Sequence, residues 1–354
     1  MLIVNKQDGF FHYKYIVNRN MKIFQRSEIE EAISSSTAFA TKLIDEIERG
    51  FCAYSEGKFN ACPIQTMGAP PMDKFPDSED DSRYAAQVCV KSGYIGGDDY
   101  FVLKVASGGY PLPDNWGCMQ VFSQRTGKLE ALLLDDGILT EIRTAAAGAL
   151  AAKVLAPKQI DCIGMVGTGI QARYQLQFLK EVTECRKLLI YGRTPEHVED
   201  FSADCVSNGW MVEVAQSANE LLDQCELIVT TTTSREAILG KDCYQTKTIK
   251  KQHITCIGAD APGKMELDVN LVASASLLVA DSLLQTQERG EYEMAIKQGL
   301  VAVDDVIEIG KLVVDKREKP SIINEEGLSI FDSSGVAVQD CIIANMVYTS
   351  LMKS

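Results

Sequence analysis

The sequence is short of histidine and has no close pair of cysteines. Its three histidines are His12, His197 and His253. The nearest two of its eleven cysteines, Cys52 and Cys62, stand ten positions apart. Zinc sites need tighter Cys and His spacing, so no metal site is expected. An odd cysteine count in a long chain argues against a disulfide framework and for reduced thiols in a cytoplasmic protein. Long apolar runs are absent too. The best stretch, TAAAGALAAKVLA, is interrupted by Lys153, and a membrane-spanning helix needs about 20 apolar residues. The opening MLIVNKQDGFF carries Lys6 and Asp8 where a signal peptide needs an apolar core. Met21 begins a more typical opening, so the first twenty residues read as an extension or a start-site artefact. Positive charge is in deficit: 35 Lys and Arg against 49 Asp and Glu leave a net charge of −14. That excludes a general affinity for nucleic acid or anionic membranes but not a local basic pocket for a small anion.

What is present divides at about Leu139. A chain of 354 residues has room for two domains. Before Leu139, Ser27-Glu28-Ile29-Glu30 reads as a capping box. It predicts one helix to about Glu48, stopped by Gly50. Residues 52–82 are rich in proline and end in an acidic run at 79–81, read as a solvated turn. Four β-rich runs follow, AAQVCVKSGYI, YFVLKVASG, GCMQVFSQ and LEALLLDDG. They predict a mixed or antiparallel sheet within residues 60–136. After Leu139 comes the Ala-rich helix LTEIRTAAAGALAAKVLAP, ended by Pro157, and then strands and helices alternate. The alternation predicts a doubly wound parallel sheet. The expected fold class is α/β: a Rossmann-type domain plus a second α+β domain.

The strand IDCIGMV leads into Gly167-Thr168-Gly169-Ile170-Gln171-Ala172, a G-x-G-x-x-A turn that opens a helix. Gly167 permits the tight turn, Gly169 lets backbone approach a pyrophosphate, and Ala172 allows close helix–strand packing. The helix N-terminus offers free N–H groups and partial positive charge to the anion. Dinucleotide binding is therefore expected over Gly167–Gln171. The next strand ends Tyr191-Gly192-Arg193-Thr194, without the carboxylate that usually holds the ribose 2′-hydroxyl of NAD. Arg193 and Thr194 could face a 2′-phosphate, so NADP(H) is favoured and NAD(H) remains open. Thr231, Thr232 and Ser234 follow a strand that should end at the same cofactor.

Four segments, GTGIQAR, LTEIRTAAAGALAAKVLAP, IGADAPGKMELD and FDSSGVAVQD, resemble the ornithine cyclodeaminase/mu-crystallin family in order and approximate spacing. The resemblance implies a homodimer. It implies a substrate and dimerisation domain over residues 1–140, completed by 331–354, and a Rossmann domain over 141–330. It also implies hydride transfer at the α-carbon of an amino acid or at the C=N bond of an imine.

The charged residues fit that chemistry. Lys104 stands in an otherwise apolar strand, where a lysine is costly unless it meets an anion; the family pattern makes it a carboxylate ligand. Arg143 sits among small residues, and a guanidinium grips a carboxylate with two parallel hydrogen bonds; the family's matching Arg does so. Asp260 follows the strand ITCIGA at its carboxyl end, where ligands bind in such sheets; it matches the family's catalytic Asp and would move a proton at the substrate nitrogen. Ser333, Ser334 and Gly335 match a segment near the nicotinamide. Many members carry an Arg two residues after an early Pro; the equivalent stretch Cys62-Pro63-Ile64-Gln65 puts Gln65 there, which weakens the case for ornithine. The first expectation is cyclodeamination of ornithine to proline. The alternatives are NADPH-dependent reduction of a cyclic ketimine of the pyrroline-2-carboxylate type, and non-catalytic NADPH binding as in mu-crystallin.

Overall fold

The computed structural model describes residues 2–7, 10–15, 21–68, 87–108, 116–241, 251–318 and 326–353. The acidic run at 79–81 and Cys243 lie outside them. β1 (Leu2–Gln7) and β2 (Phe10–Tyr15) pair antiparallel as a small sheet of their own. β3 (Lys22–Gln25) runs into α1 (Arg26–Ser34), and α2 (Phe39–Ser55) follows. The single helix expected here is thus two. Its cap is Gln25 rather than Ser27: the Gln25 backbone N–H donates to Glu28 Oε2 at 2.8 Å. Gly50 does not stop α2. A Cβ there would meet Ile342 Cγ1 at 3.0 Å, so this glycine admits a neighbouring helix.

All four β-rich runs are strands: β6 (Gln87–Ile95), β7 (Tyr100–Gly108), β8 (Trp116–Ser123) and β9 (Leu129–Leu134). Two short strands precede them, β4 (Phe59–Ala61) and β5 (Gln65–Gly68), and both pair with β6. The sheet order is β3-β9-β8-β7-β6-β4, antiparallel except for β3 on β9. Register sorts its two faces. Lys91, Lys104, Met119, Leu133 and Phe24 lie opposite one another in a row across five strands, and all five are buried. The alternation of side chains puts a second row, Met67, Val88, Ser107 and Trp116, on the other face.

The buried face is covered by α2, α3 (Ile138–Leu155) and the last helix, α11 (Ala337–Leu351). α3 is buried nearly all round because its alanines and Gly148 let other helices close in. A Cβ on Gly148 would strike the Gln175 side chain of α4 (Ile170–Leu179).

The parallel sheet takes β10 (Ile163–Val166), β11 (Lys187–Tyr191), β12 (Met211–Val214), β13 (Leu227–Thr230), β14 (Lys251–Cys256), β15 (Leu277–Ala280), β16 (Val306–Glu308) and β17 (Gly327–Asp332). Their order is β12-β11-β10-β13-β14-β17-β15-β16. This is the expected doubly wound sheet, and its last strand runs past residue 330. The helices between are α5 (Pro195–Ser207), α6 (Asn219–Gln224), α7 (Val269–Ala273), α8 (Leu283–Thr286), α9 (Glu293–Lys297) and α10 (Ile309–Glu318). Two apolar clusters cover its faces. Among the described residues no helix is long and apolar enough to cross a membrane.

Candidate active site

The carboxyl ends of β10, β11 and β13 frame a cleft of about 720 Å³. Gly167 has φ +105, and a Cβ there would lie 2.7 Å from Thr231 Oγ1; only glycine fits. Around Gly169 nothing comes within 4 Å of where a Cβ would be. Gly169 precedes α4 without a side-chain cap, so the first N–H groups of α4 face open space where an anion would sit. Gly167, Thr168, Gly169, Arg193, Thr194, Thr231, Thr232 and Ser234 all line the cleft, joined by His197 and Arg235. The residues present therefore fit a dinucleotide.

Four expected cofactor residues sit elsewhere. Gln171 Nε2 donates to the Glu141 carboxylate and to its backbone oxygen, which turns the side chain toward α3. Ile170 lines a separate surface groove beside Arg173 and Tyr174. Ser333 and Gly335 are held by Asp281, whose Oδ2 accepts from the Gly335 N–H at 2.7 Å and the Ser333 hydroxyl at 3.4 Å. They form the floor between β17 and α11 rather than a wall of the cleft.

The second half of the site is a cluster of buried cations. Lys104 is 3% exposed, Arg143 5% and Lys91 8%. Lys104 Nζ donates to Asp340 Oδ1 at 3.0 Å, and Arg143 Nε lies 2.9 Å from the same oxygen. Arg143 Nη1 donates to Gln339 Oε1 at 2.8 Å. Lys91 Nζ donates to the Gly335 carbonyl at 2.6 Å. A Cβ on Gly335 would lie 3.2 Å from Arg143 Nη1 and 3.4 Å from Lys91 Nζ, so this glycine brings the two cations together. Among the described residues the direct ion pairs of these three cations go to one carboxylate, Asp340, while Asp281 acts on Lys91 from further off. Burial and the neighbouring Arg143 and Lys91 push the Lys104 ammonium down to about 8, against the pull of Asp340. Lys91 is lowered as well, by burial and then Arg143. Burial alone would raise Asp340, but Lys104, Arg143 and Lys91 hold it below the usual carboxylate range. Buried positive charge in excess is a seat for an anion.

Beside Lys91 opens a cavity of about 380 Å³. The link between β4 and β5 contributes Cys62, Pro63 and Ile64, and the segment after β15 contributes Gln285, Glu288 and Arg289. The volume is at the small end for ligand sites, the size of a short amino acid. Gln65 does not join the cations. It is exposed on β5, opposite Val90 of β6, and the third cation of the cluster is Lys91.

Asp260 lies just past the carboxyl end of β14. Its side chain is 58% exposed and accepts from Lys264 Nζ at 2.6 Å, and its charge is felt at Lys91. The nearby Glu266 is buried and structural. It accepts from the Thr230 hydroxyl at 2.6 Å, the Thr232 N–H at 2.5 Å and the Gly258 N–H at 2.9 Å, tying the ends of β13 and β14 together. Burial pushes its carboxyl up against those donors. His253 is buried between Ser329 and Thr255, and burial pushes it down to about 3, so it stays neutral and outside the site.

Lys91 and Asp340 are the site residues that sequence reasoning missed. Lys91 alternates correctly for an outward position, but register places it directly opposite Lys104. Asp340 had a signal, as the one charged residue of the mostly apolar helix AVQDCIIANMVYTSL. Its partners stand 236 positions away at Lys104 and on α3 at Arg143.

Comparison with known proteins follows the same lines. The pattern of the ornithine cyclodeaminase/mu-crystallin family matches residues 99–354. An alanine dehydrogenase of Archaeoglobus fulgidus is 32% identical over 336 residues, 93% of this chain and 95% of that one. An iminosuccinate reductase of Paracoccus denitrificans is 31% identical over 264 residues, 72% of this chain and 79% of that one. Among solved structures, an archaeal alanine dehydrogenase dimer with bound NAD superposes with a TM-score of 0.79 at 28% identity, covering 94% of this chain and 96% of its own.

Proposed function

Because the chain belongs to the ornithine cyclodeaminase/mu-crystallin family, we propose that it is a nicotinamide-dependent enzyme of amino-acid metabolism, an imine reductase or amino-acid dehydrogenase. The observation that carries this reading is the cluster of Lys91, Lys104 and Arg143 around the single carboxylate of Asp340, beside a cavity of amino-acid size. A nicotinamide bound in the glycine-loop cleft supplies or accepts the hydride. The three cations hold the substrate α-carboxylate and so fix its α-carbon. Asp260, at the strand end, moves a proton at the substrate nitrogen, and Lys264 holds the carboxylate in place. The basic wall of Arg193, His197 and Arg235 supports NADP(H), although the solved relative holds NAD.

Ornithine cyclodeamination is the second reading. Glu288 in the cavity wall offers a carboxylate to a δ-ammonium. A homodimer through the outer face of the antiparallel sheet belongs to the proposal too. Met67 and Trp116 leave apolar surface in one row there, and the archaeal relative is a dimer. A cytoplasmic location agrees with the free thiols of the described cysteines.

The test follows nicotinamide absorbance with both cofactors, offering cyclic imines, 2-oxo acids with ammonia, and amino acids, while ammonia release is measured from ornithine. Turnover with an imine or 2-oxo acid supports the proposal. Ammonia release from ornithine without net change in cofactor supports the second reading. Asp260→Asn should slow single-turnover hydride transfer roughly 10²-fold or more and spare cofactor binding. A folded variant within a few-fold of wild type would remove Asp260 from the chemistry.

A further inference from the structure

The mechanism above leaves one cation unused. Arg289 lines the 380 Å³ cavity together with Lys91, on the segment between α8 and α9. Its Nε is fully shielded from solvent and has no hydrogen-bond partner. Among the described residues no carboxylate pairs with its guanidinium. Arg289 is half-buried, and it differs from the buried Arg143, which has Asp340 and Gln339 as partners. A guanidinium that lines a cavity with no carboxylate of its own is placed to take one from a ligand. Glu288 lines the same cavity, but its side chain is exposed to solvent; the shielded group is the arginine.

We infer that Arg289 is a specificity residue that receives an anionic substrate side chain, so that the substrate is a short amino- or iminodicarboxylate. This rests on the reading of Lys91, Lys104 and Arg143 as the α-carboxylate seat. The walls then match such a molecule from end to end. Its α-carboxylate meets the cluster through Lys91, the one of the three cations that lines the cavity, its methylenes pass Ile64, Val336 and Ala337, and its second carboxylate meets Arg289. Guanidinium and carboxylate are matched in shape as well as charge, because both are planar and can share two hydrogen bonds. The same charge disfavours a substrate whose side chain ends in an ammonium, as ornithine does.

Two arms test it, so that failure of the chemistry and failure of the assignment are told apart. The first is binding alone. Succinate and butyrate, which cannot react, are titrated into the protein loaded with NADPH, and retained NADPH fluorescence shows that each variant is folded. Wild type should bind succinate about 10- to 100-fold more tightly than butyrate, the usual worth of one charge-assisted pair. Arg289→Met should abolish that ratio while leaving butyrate within three-fold, and Arg289→Lys should restore part of it. The second arm is turnover. Wild type should reduce the imine formed from oxaloacetate and ammonia with a kcat/KM at least ten-fold above that from pyruvate, and Arg289→Met should reverse the order. Equal binding of succinate and butyrate to wild type, or equal losses for both in Arg289→Met, would overturn the assignment. Absence of turnover with every imine would overturn the proposed reaction, while the binding ratio would still decide the role of Arg289.

Discussion

The molecule buries charge in two places and treats it in opposite ways. Beside the parallel sheet, Glu266, Glu291 and Asp281 are acids at the ends of strands or in the segments just after them. Each is met by donors from its own chain. Glu266 takes Thr230, Thr232 and Gly258. Glu291 takes the N–H groups of Glu266 and Leu267. Asp281 takes Ser334 and Gly335. Under the antiparallel sheet, the ion pairs of Lys104 and Arg143 among the described residues go to one carboxylate, Asp340, and Lys91 has only the Gly335 carbonyl as a hydrogen-bond partner, with Asp281 and Asp260 acting on it from further off. The first region is satisfied and stays so whether or not anything binds. The second is short of negative charge, and a ligand must supply it. Burial of a charge does not by itself mark a site; the balance of its partners does.

The sharpest way to break the contrast is to remove one cation. Arg143→Ala should raise KM for a carboxylate substrate about 10- to 100-fold. Asp340 keeps Lys104 as a partner, so the fold and NADPH affinity should hold. An amide analogue of the substrate should bind poorly to wild type and be little affected by the substitution. If acid and amide lose equally, the guanidinium is a packing residue and the two regions are alike.

Removing one acid should do the reverse. Glu266→Gln replaces an acceptor-only group by one that presents an NH₂ to at least one of three donors. We expect a loss of about 1–3 kcal/mol in unfolding free energy, read from denaturant titration, with KM nearly unchanged. A large change in KM at wild-type stability would make Glu266 part of the site.

pH sharpens the comparison further. With Lys104 pushed down to about 8, its ammonium is charged below that pH and loses the charge above. Affinity for an unreactive carboxylate should fall by up to about tenfold per pH unit above pH 8. Stability should move the other way. Between about 8 and the ordinary lysine value near 10.4 the unfolded chain binds more protons than the folded one, so unfolding free energy rises with pH across that window. Lys104→Arg, which keeps its charge, should move the fall in affinity upward. A flat profile in wild type would mean that the ammonium is not felt by the ligand.

How far the sequence led depends on the range of the interactions. Strands β6 to β9 and the alternation from β10 to β14 were legible, because apolar period and turn residues are local signals. Helices α8 to α10 and β16 were not, being short or weakly patterned. The cofactor cleft was legible where backbone geometry demands glycine, at Gly167 and Gly169. Gln171 was misplaced because its partner, Glu141, lies on another helix. The cation cluster was half legible. Lys104 and Arg143 stand out in apolar or small surroundings, whereas Lys91 and Asp340 acquire meaning only through sheet register and the return of α11. Gln65 is paired with Val90, whose side chain alternates to the face away from Lys91.

The smallest expected effect concerns the cleft, where charge is exposed rather than buried. Arg193, His197 and Arg235 line it, and Arg193 ends the strand where an acid would hold a ribose 2′-hydroxyl. An exposed pair is screened by water and salt, so Arg193 contributes less than a buried cation, and its neighbours can replace part of it. Arg193→Ala should weaken NADPH roughly 2- to 5-fold, leave NADH nearly unchanged, and lose most of its effect at high salt. Arg143→Ala, by contrast, should act on the substrate about equally at low and high salt, because its charge is shielded. Titrating both cofactors into both variants at two ionic strengths separates the regions on one scale. If Arg193→Ala leaves the NADPH-to-NADH ratio at its wild-type value, the basic wall does not read the 2′-phosphate and the preference for NADP(H) falls.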